Sequence, residues 1–387
     1  MKNSKLTREK LEFALVHALK KVDIMTKHFP DGFPKASSDG LVYEKEKTDD
    51  SYYGWTESFY TGILWIAYLL SKDEKYRETA ENLMPVFVKK VDYGVGMNTH
   101  DIGFLFTLST VAAYKITGNE IYREKSIDAA KVLANRFREK GQFIQLAGEA
   151  DCENPDLYRF IIDTFMNLHL LFWATEETGE GDFAKKGLAH FNTAMETLIR
   201  EDGSSFQNFY MDQKTGARLG GGTKQGFSAE SCWSRGQSWG VTGIPFTYSY
   251  MKNDEVIEQY YKITDYYLDH LPEDYIAYWD LCFNDGSGEP RDSSAAAIAV
   301  CGLLEAVKVM PLDNEHKKRY KQAAEDIMNS LIDSYTTKDD EMSNGLIKHG
   351  TYYYGGNQGI DECCIWGDYF YIEALARFLD PDFKKFW

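Results

Sequence analysis

Segments of helix length alternate between two kinds along the chain. In one kind apolar residues recur on a single face and charges fill the rest: about 5–27, 73–90, 119–139, 181–199, 253–270 and 314–334, as in DEKYRETAENLMPVFVKKV. In the other, nearly every face is apolar: about 56–71 (TESFYTGILWIAYLLS), 101–115 (DIGFLFTLSTVAAYK), 158–177, 231–250, 292–309 and 365–379. A helix that is apolar all round must be covered on all sides, whereas an amphipathic one lies at a surface. Six of each in strict alternation predict an all-α fold, an (α/α)6 barrel with an inner ring wrapped by an outer one. An open solenoid is the alternative, but its repeats are usually more uniform in length.

No Pro/Ser-rich linker divides the sequence, so one catalytic barrel is expected over residues 1–387. The connections before the apolar helices vary greatly in length. Polar and aromatic residues collect in or just after them: Trp55, His100 with Asp101, Cys232 to Arg235, Arg291 with Asp292, and Trp366 to Asp368. The mouth that these connections surround is where a site is expected.

Composition narrows the function classes. A hydrophobic content of 43% with 15% aromatic residues supplies a core and excludes a disordered chain. The net charge of −17 argues against nucleic acid and against an anionic membrane surface. An acidic ligand would have to be small and met by a local group of cations. The first residues, MKNSKLTREKLEFALVHALKKVDIM, contain no unbroken apolar stretch, and no later run reads as a membrane span. Six cysteines (152, 232, 282, 301, 363, 364) show no CxxC and read as reduced thiols of a cytoplasmic protein. The eight histidines show no metal-ligand spacing, so no metal site is expected. A monomer or homodimer is equally compatible.

The candidates for chemistry begin with FIIDTFMN, which sets Asp163 among large apolar side chains. On a helix, Arg159, Asp163 and Asn167 fall at i−4, i and i+4, a single polar stripe among Phe160, Ile161, Ile162, Phe165, Met166 and Leu168. The stripe reads either as a buried network that fixes packing or as a general acid kept protonated by its surroundings. Asp101, in NTHDIGFLF, opens another inner helix, as an N-cap or as a carboxylate held ionised by the helix start. The two environments push the aspartates apart, Asp163 up and Asp101 down, the pattern of an acid with a charged auxiliary. The segment GGGTKQGFSAESCWSRGQSWG gathers Lys224, Gln225, Trp233, Arg235 and Trp239. Arg offers a planar fork to a carboxylate and Trp a flat face to a sugar ring, although both also serve as packing and capping groups. His169 in NLHLLF reads as a core histidine, and His349 in IKHGTYYY is a further candidate for substrate contact.

The segments WTESFYTGILW, THDIGFLF, FIIDTFMNLHLLFW, GGTKQG, WSRGQSWG, RDSSAAAIAVCGLLE and IWGDYFYIEALARF resemble, in order and over nearly the whole chain, the unsaturated glucuronyl hydrolases of glycoside hydrolase family 88. The related unsaturated rhamnogalacturonyl hydrolases share the barrel but read closer to WGRGNGW at the fifth of these. The resemblance implies a barrel without cofactor. Its substrate would be the 4,5-unsaturated uronic acid that polysaccharide lyases leave at the non-reducing end of small oligosaccharides. By position Asp163 matches the acid/base of that family and Asp101 its second aspartate. Gly221, Thr223, Gln225, Arg235 and Trp239 match contacts to the unsaturated sugar, and Trp55, His100 and Trp233 look like further parts of the pocket. Gln207 and Lys224 depart from the resemblance, each standing where a His is common. Members that favour sulfated disaccharides carry a Ser-x-x-Ser-x-Lys cluster before the last segment. Here residues 353–358 read YYGGNQ, so unsulfated or lightly sulfated substrates are expected. An ordinary inverting glycosidase, and a sugar-binding barrel without turnover, are the competing readings.

Overall fold

The structure, a computed structural model, describes residues 5–47, 54–149 and 154–387. Cys152 lies outside the described residues. Twelve helical rods are described, odd-numbered outside and even-numbered inside: α1 Arg8–His28, α2 Glu57–Ser71, α3 Glu74–Tyr93, α4 (Ile102–Phe106, a π turn at Thr107–Val111, then Ala112–Thr117), α5 Glu120–Asn135, α6 (Thr164–Asn167 running on into His169–Thr178), α7 Gly181–Leu198, α8 Ser234–Met251, α9 Ile257–Asp269, α10 Ser293–Val309, α11 Asn314–Ser330 and α12 Ile365–Leu379. Each even-numbered helix packs on the next and α12 returns to α2, which closes the (α/α)6 ring. The inner helices are buried over most of their residues, as in Ser234–Tyr248 of α8, because both core and outer helices cover them. Close approach inside the ring depends on glycine. A Cβ on Gly302 of α10 would fall 2.5 Å from the Val241 carbonyl of α8. No helix among the described residues is long and apolar enough to cross a membrane.

The loops divide cleanly between the two ends. Inner helices pass to outer ones through tight turns closed by left-handed residues, Lys72 (φ 59), Gly118 (φ 70), Gly179 (φ 74) and Lys252 (φ 47). Outer helices return to inner ones through long segments such as 136–163, 199–233 and 331–364, so all six inner helices start at one mouth. Those segments hold short antiparallel strands that the helical patterning did not predict: β1 Phe137–Arg138 with β2 Phe143–Ile144, the three-stranded β3 Arg159–Ile161, β4 Asn208–Met211 and β5 Arg218–Gly222, and β6 Gly350–Tyr353 with β7 Gln358–Glu362. Capping differs as well. Outer helices α1, α3, α5 and α11 are N-capped by the side chains of Thr7, Asp73, Asn119 and Asp313. Inner helices α2, α4, α6, α8 and α12 begin without a side-chain cap, which leaves their positive ends for whatever occupies the mouth.

Candidate active site

The helix expected over 158–177 is broken at its start. Arg159–Ile161 is strand β3, paired with β4, and α6 begins only after Asp163. The i−4, i, i+4 stripe therefore does not exist. Arg159 and Ile161 share a face of β3, and the turn at 162–163, with Asp163 at φ −59 and ψ −15, brings Asp163 to the same cavity. The buried Arg–Asp–Asn network fails with it, since Arg159 bonds the Asp156 carbonyl and not Asp163.

That cavity has a volume of about 310 Å³, and its walls include Trp55, Asp101, Asp163, Gln207, Lys224, Gln225, Trp233 and Arg235. Asp163 is buried at 8% exposure and its Oδ1 has no hydrogen-bond partner. Burial pushes its carboxyl up to about 7, with Asp101 adding repulsion and His100 and Arg235 opposing. Asp101 behaves in the opposite way. Burial raises it, but the neighbouring His100 and hydrogen bonds from Thr99 and Asn167 outweigh that and hold the carboxyl below its ordinary range. Its Oδ2 accepts from the Thr99 hydroxyl (3.0 Å), its Oδ1 from Asn167 Nδ2 (3.4 Å), and His100 Nε2 lies 3.3 Å from Oδ1. Although Asp101 occupies the N-cap position of α4, it makes no capping bond, so the capping reading does not hold.

Asn167 ties the two aspartates together. Its Oδ1 accepts from the Phe104 amide (2.8 Å), while Nδ2 reaches Asp101 Oδ1 and the Asp163 carbonyl (3.2 Å). Gly103 makes this possible, because a Cβ there would stand 2.2 Å from the Asn167 carbonyl oxygen. The starts of α4 and α6 thus meet at one point of the cavity wall.

The remaining candidates divide into those on the wall and those behind it. Trp55 stands on the wall, stacked on Trp366 (5.2 Å), and donates to the Tyr352 hydroxyl at 3.2 Å. Trp233 lies 4.5 Å from the Arg235 guanidinium. Arg235 differs from expectation. Its Nη1 donates to Asp292 Oδ2 (2.8 Å) and the Thr351 carbonyl (2.6 Å), and Nη2 to the Tyr352 carbonyl (2.6 Å). Three of its five donors are spent within the protein, and its charge is matched by Asp292. Gln207 clamps the glycine-rich loop: its Oε1 accepts from the Thr223 hydroxyl (3.1 Å), the Lys224 amide (2.6 Å) and the Gln225 amide (2.8 Å). Gly221 pairs with Phe209 in the sheet, where a Cβ would strike the Phe206 ring. His100 is wholly buried beside Asp101.

Five candidates do not line the cavity: His100, Gly221 and Thr223, which adjoin residues that do, and Trp239 and His349. Trp239 is sealed at 0% exposure between Phe104 and Phe370, because its position in α8 faces the ring interior. The His349 imidazole is held by Asp361 (2.6 Å) in a part-exposed pair, and its carbonyl accepts from the Ser293 amide at the start of α10. The sequence reading missed Asn208, Tyr352, Tyr353 and Gln358, which stand on the wall. The alternation of Arg159 with Ile161 about Phe160 was the available signal for β3. Of the six cysteines, the five within the described residues are free thiols, and no cluster of three His, Cys, Asp or Glu side chains suited to a metal occurs among those residues.

Residues 25–369 match the family model described as Glycosyl Hydrolase Family 88. An unsaturated chondroitin disaccharide hydrolase from Streptococcus pneumoniae (strain ATCC BAA-255 / R6) is 40% identical over 99% of this chain and 95% of its own. The crystal structure of an unsaturated glucuronyl hydrolase from Streptococcus agalactiae superposes with a TM-score of 0.94 at 39% identity, covering 99% of this chain and 95% of that one. A mutant of the S. agalactiae enzyme complexed with dGlcA-GalNAc6S superposes with a TM-score of 0.87 at 36% identity over 100% of this chain and 95% of that one. A closed double ring of helices, two aspartates at its mouth, one carboxyl pushed up by burial and the other held low, and a match across nearly the whole length make this chain a member of glycoside hydrolase family 88.

Proposed function

We propose that the protein releases 4,5-unsaturated glucuronic acid from the non-reducing end of lyase-generated oligosaccharides, glycosaminoglycan-type disaccharides in the first place. The observation that carries the reading is Asp163: a carboxyl with a buried, unpartnered oxygen, pushed up to about 7, on the wall of a cavity shared with Asp101, whose own carboxyl is held low. An ordinary displacement needs a carboxylate on each side of an intact glycosidic bond. Hydration of an enol ether needs one proton donor and one charge stabiliser.

The C4=C5 bond of the unsaturated uronate is an enol ether. Protonated Asp163 gives its proton to C4, and positive charge develops at C5 and the ring oxygen. Ionised Asp101 faces that charge and stabilises it. Asp163, now a carboxylate, takes a proton from the water that adds to C5. The resulting hemiketal opens to a ketone at C5, which leaves a hemiacetal at C1 that expels the remaining sugar. The atoms balance with one water consumed and no other reactant. Trp55 and Trp233 offer flat faces for the rings, and the two donors of Arg235 not bonded to the protein are available to the uronate carboxylate. The reading puts the protein in the cytoplasm, which the free thiols of the five described cysteines support, and takes it as a monomer or homodimer.

The test is loss of the near-UV absorbance of the conjugated double bond on mixing the protein with unsaturated disaccharides from chondroitin, hyaluronan and heparin. Turnover is expected with at least one, and kcat/KM should fall as pH rises through about 7, where Asp163 loses its proton. No absorbance loss with any of them, combined with cleavage of a saturated uronoside, would sink the reading in favour of an ordinary glycosidase.

A further inference from the structure

Behind the cavity wall, the starts of α8, α10 and α12 are joined by a buried polar chain. Asp292, which caps α10, is wholly buried, and the groups that meet its carboxylate are donors. Its Oδ2 accepts from Arg235 Nη1 (2.8 Å), and its Oδ1 from the Ser294 amide (3.1 Å) and the Ser294 hydroxyl (2.5 Å). The same hydroxyl meets α12, where the indole N–H of Trp366 donates to it at 2.9 Å. An indole can only donate, so the Ser294 oxygen accepts from it and spends its own proton on Asp292. The direction of the chain is therefore fixed, from Trp366 through Ser294 to Asp292, with Arg235 joining from α8. Ser294 and Trp366 are both at 0% exposure, and neither lines the cavity. Their helices touch here, since a Cβ on Gly367 would stand 2.9 Å from the Ser294 Cβ.

Trp366 backs two groups that do stand on the wall. Trp55 stacks on it with centroids 5.2 Å apart and 25° between the planes, and the Arg235 guanidinium lies 4.9 Å from its ring. Stacking alone leaves an indole free to slide and turn in its own plane, whereas a hydrogen bond at Nε1 sets that rotation. We infer that Ser294 is a positioning residue: through the Trp366 indole and the Asp292 carboxylate it holds Trp55 and Arg235 in the one arrangement that receives the unsaturated ring and its carboxylate. Ser294 itself touches no substrate. Its hydroxyl is used as donor and acceptor at once, and Ala supplies neither, leaving a buried indole N–H unmet. The chain includes neither Asp163 nor Asp101, so its loss reaches binding and not the proton transfer.

The role of Ser294 rests on the proposed hydrolase activity, and steady-state kinetics on the best unsaturated disaccharide separate the two. Ser294→Ala should raise KM about 3- to 10-fold and change kcat by less than about 2-fold. Thr242→Ala is the control for a structural role. Thr242 lies two turns further along α8 and donates to the Ile298 carbonyl of α10 (2.7 Å), so its loss also breaks a buried bond between these helices. It should lower Tm and leave KM unmoved. Because Ser294 acts mainly through the indole N–H, adding Ser294→Ala to Trp366→Phe should raise KM by less than about 2-fold more. Should Ser294→Ala fail to melt cooperatively, Ser294→Cys decides, since its thiol is a weak donor and acceptor and must raise KM in the same sense. An unchanged KM in the folded Ser294 variant, a fall in kcat alone, or an equal rise in KM in Thr242→Ala overturns the role and leaves the hydrolase activity standing. Full additivity in the double variant overturns it as well. No turnover of any unsaturated disaccharide by the parent protein would remove both.

Discussion

The two ends of the barrel treat buried charge in opposite ways. At the floor, where α10 and α12 end, Arg377 lies 2.7 Å from both Glu305 and Glu373, and Lys385 lies 2.6 Å from Glu305. Burial raises Glu305, but Arg377 and Lys385 overcome it and hold the carboxyl at about 2. Trp387 closes this end, stacked on Phe370 at 5.9 Å and donating to Glu373 Oε2 (3.1 Å). At the mouth, Asp163 and Arg159 are buried without counter-ions. Compensated charge at the floor ties α10 to α12, whereas in the proposed function the uncompensated groups at the mouth are left for a ligand. A perturbed carboxyl alone does not mark the site. Asp368 in α12 is also pushed up to about 7 by burial, yet it accepts from the Tyr43 hydroxyl (3.0 Å) and the Ile347 amide (2.9 Å) and does not line the cavity.

The pair Asp163 and Asp368 gives the largest expected effect. Asp163→Asn removes the proposed proton donor and should lower kcat about 10²- to 10⁴-fold, whereas Asp368→Asn should leave turnover near that of the parent. Stability should respond alike in both. Each carboxyl rises from 3.8 to about 7 on folding, so the folded state binds the proton more tightly and the protein loses stability as pH climbs from about 4 through 7. Relative to the parent, both substitutions should therefore be more stabilising at pH 8 than at pH 5, by on the order of a few kcal/mol each. Thermal melts at the two pH values, beside single-turnover rates, check this. Equal loss of turnover in the two variants would show that burial, and not placement, makes the acid.

Ion pairs at the two ends come next. Arg235→Ala leaves Asp292 buried and unpaired at the mouth, and Arg377→Ala leaves Glu305 and Glu373 short of a cation at the floor. Each should cost about 3–5 kcal/mol in chemical denaturation. Only Arg235→Ala should also raise KM, through its two remaining donors. A KM unchanged in that variant would assign the uronate carboxylate to another cation.

The double ring was legible in the sequence because burial on all faces and burial on one face leave different residue patterns, and nothing local competes with them over a full helix. Asp163 and Asp101 were legible too, since a carboxylate amid TFMN or before IGFLF stands against its apolar background. What failed was the conformation leading into α6. Residues 158–163 are apolar enough to continue a helix, and β3 exists only because β4, far along the chain, pairs with it. Arg235 was recognised as a binding group but its commitment to Asp292 was not, because the two are distant in sequence and meet only through the ring. Trp239 and His349 carried the right chemistry on faces that periodicity could not orient toward the cavity.

Gln207 offers the finest discrimination between the ends, since no net charge is involved. Its amide oxygen accepts from one hydroxyl and two backbone amides of residues 223–225, and its Nε2 donates to Gln225 Oε1 (2.7 Å). An imidazole has one acceptor nitrogen at most, so a His at this position cannot hold the loop in the same way. Gln207→Ala should cost about 1–3 kcal/mol of stability from donors left unmet. It should raise KM more than it lowers kcat, because Lys224 and Gln225 on the cavity wall are displaced while Asp163 and Asp101 are not touched. Gln207→His should fall between the parent and Gln207→Ala in both respects. Steady-state kinetics on the preferred disaccharide, with thermal melts, measure the split. If kcat falls and KM does not, the loop positions the reacting ring itself, and the separation between a binding rim and a catalytic wall at this mouth is lost.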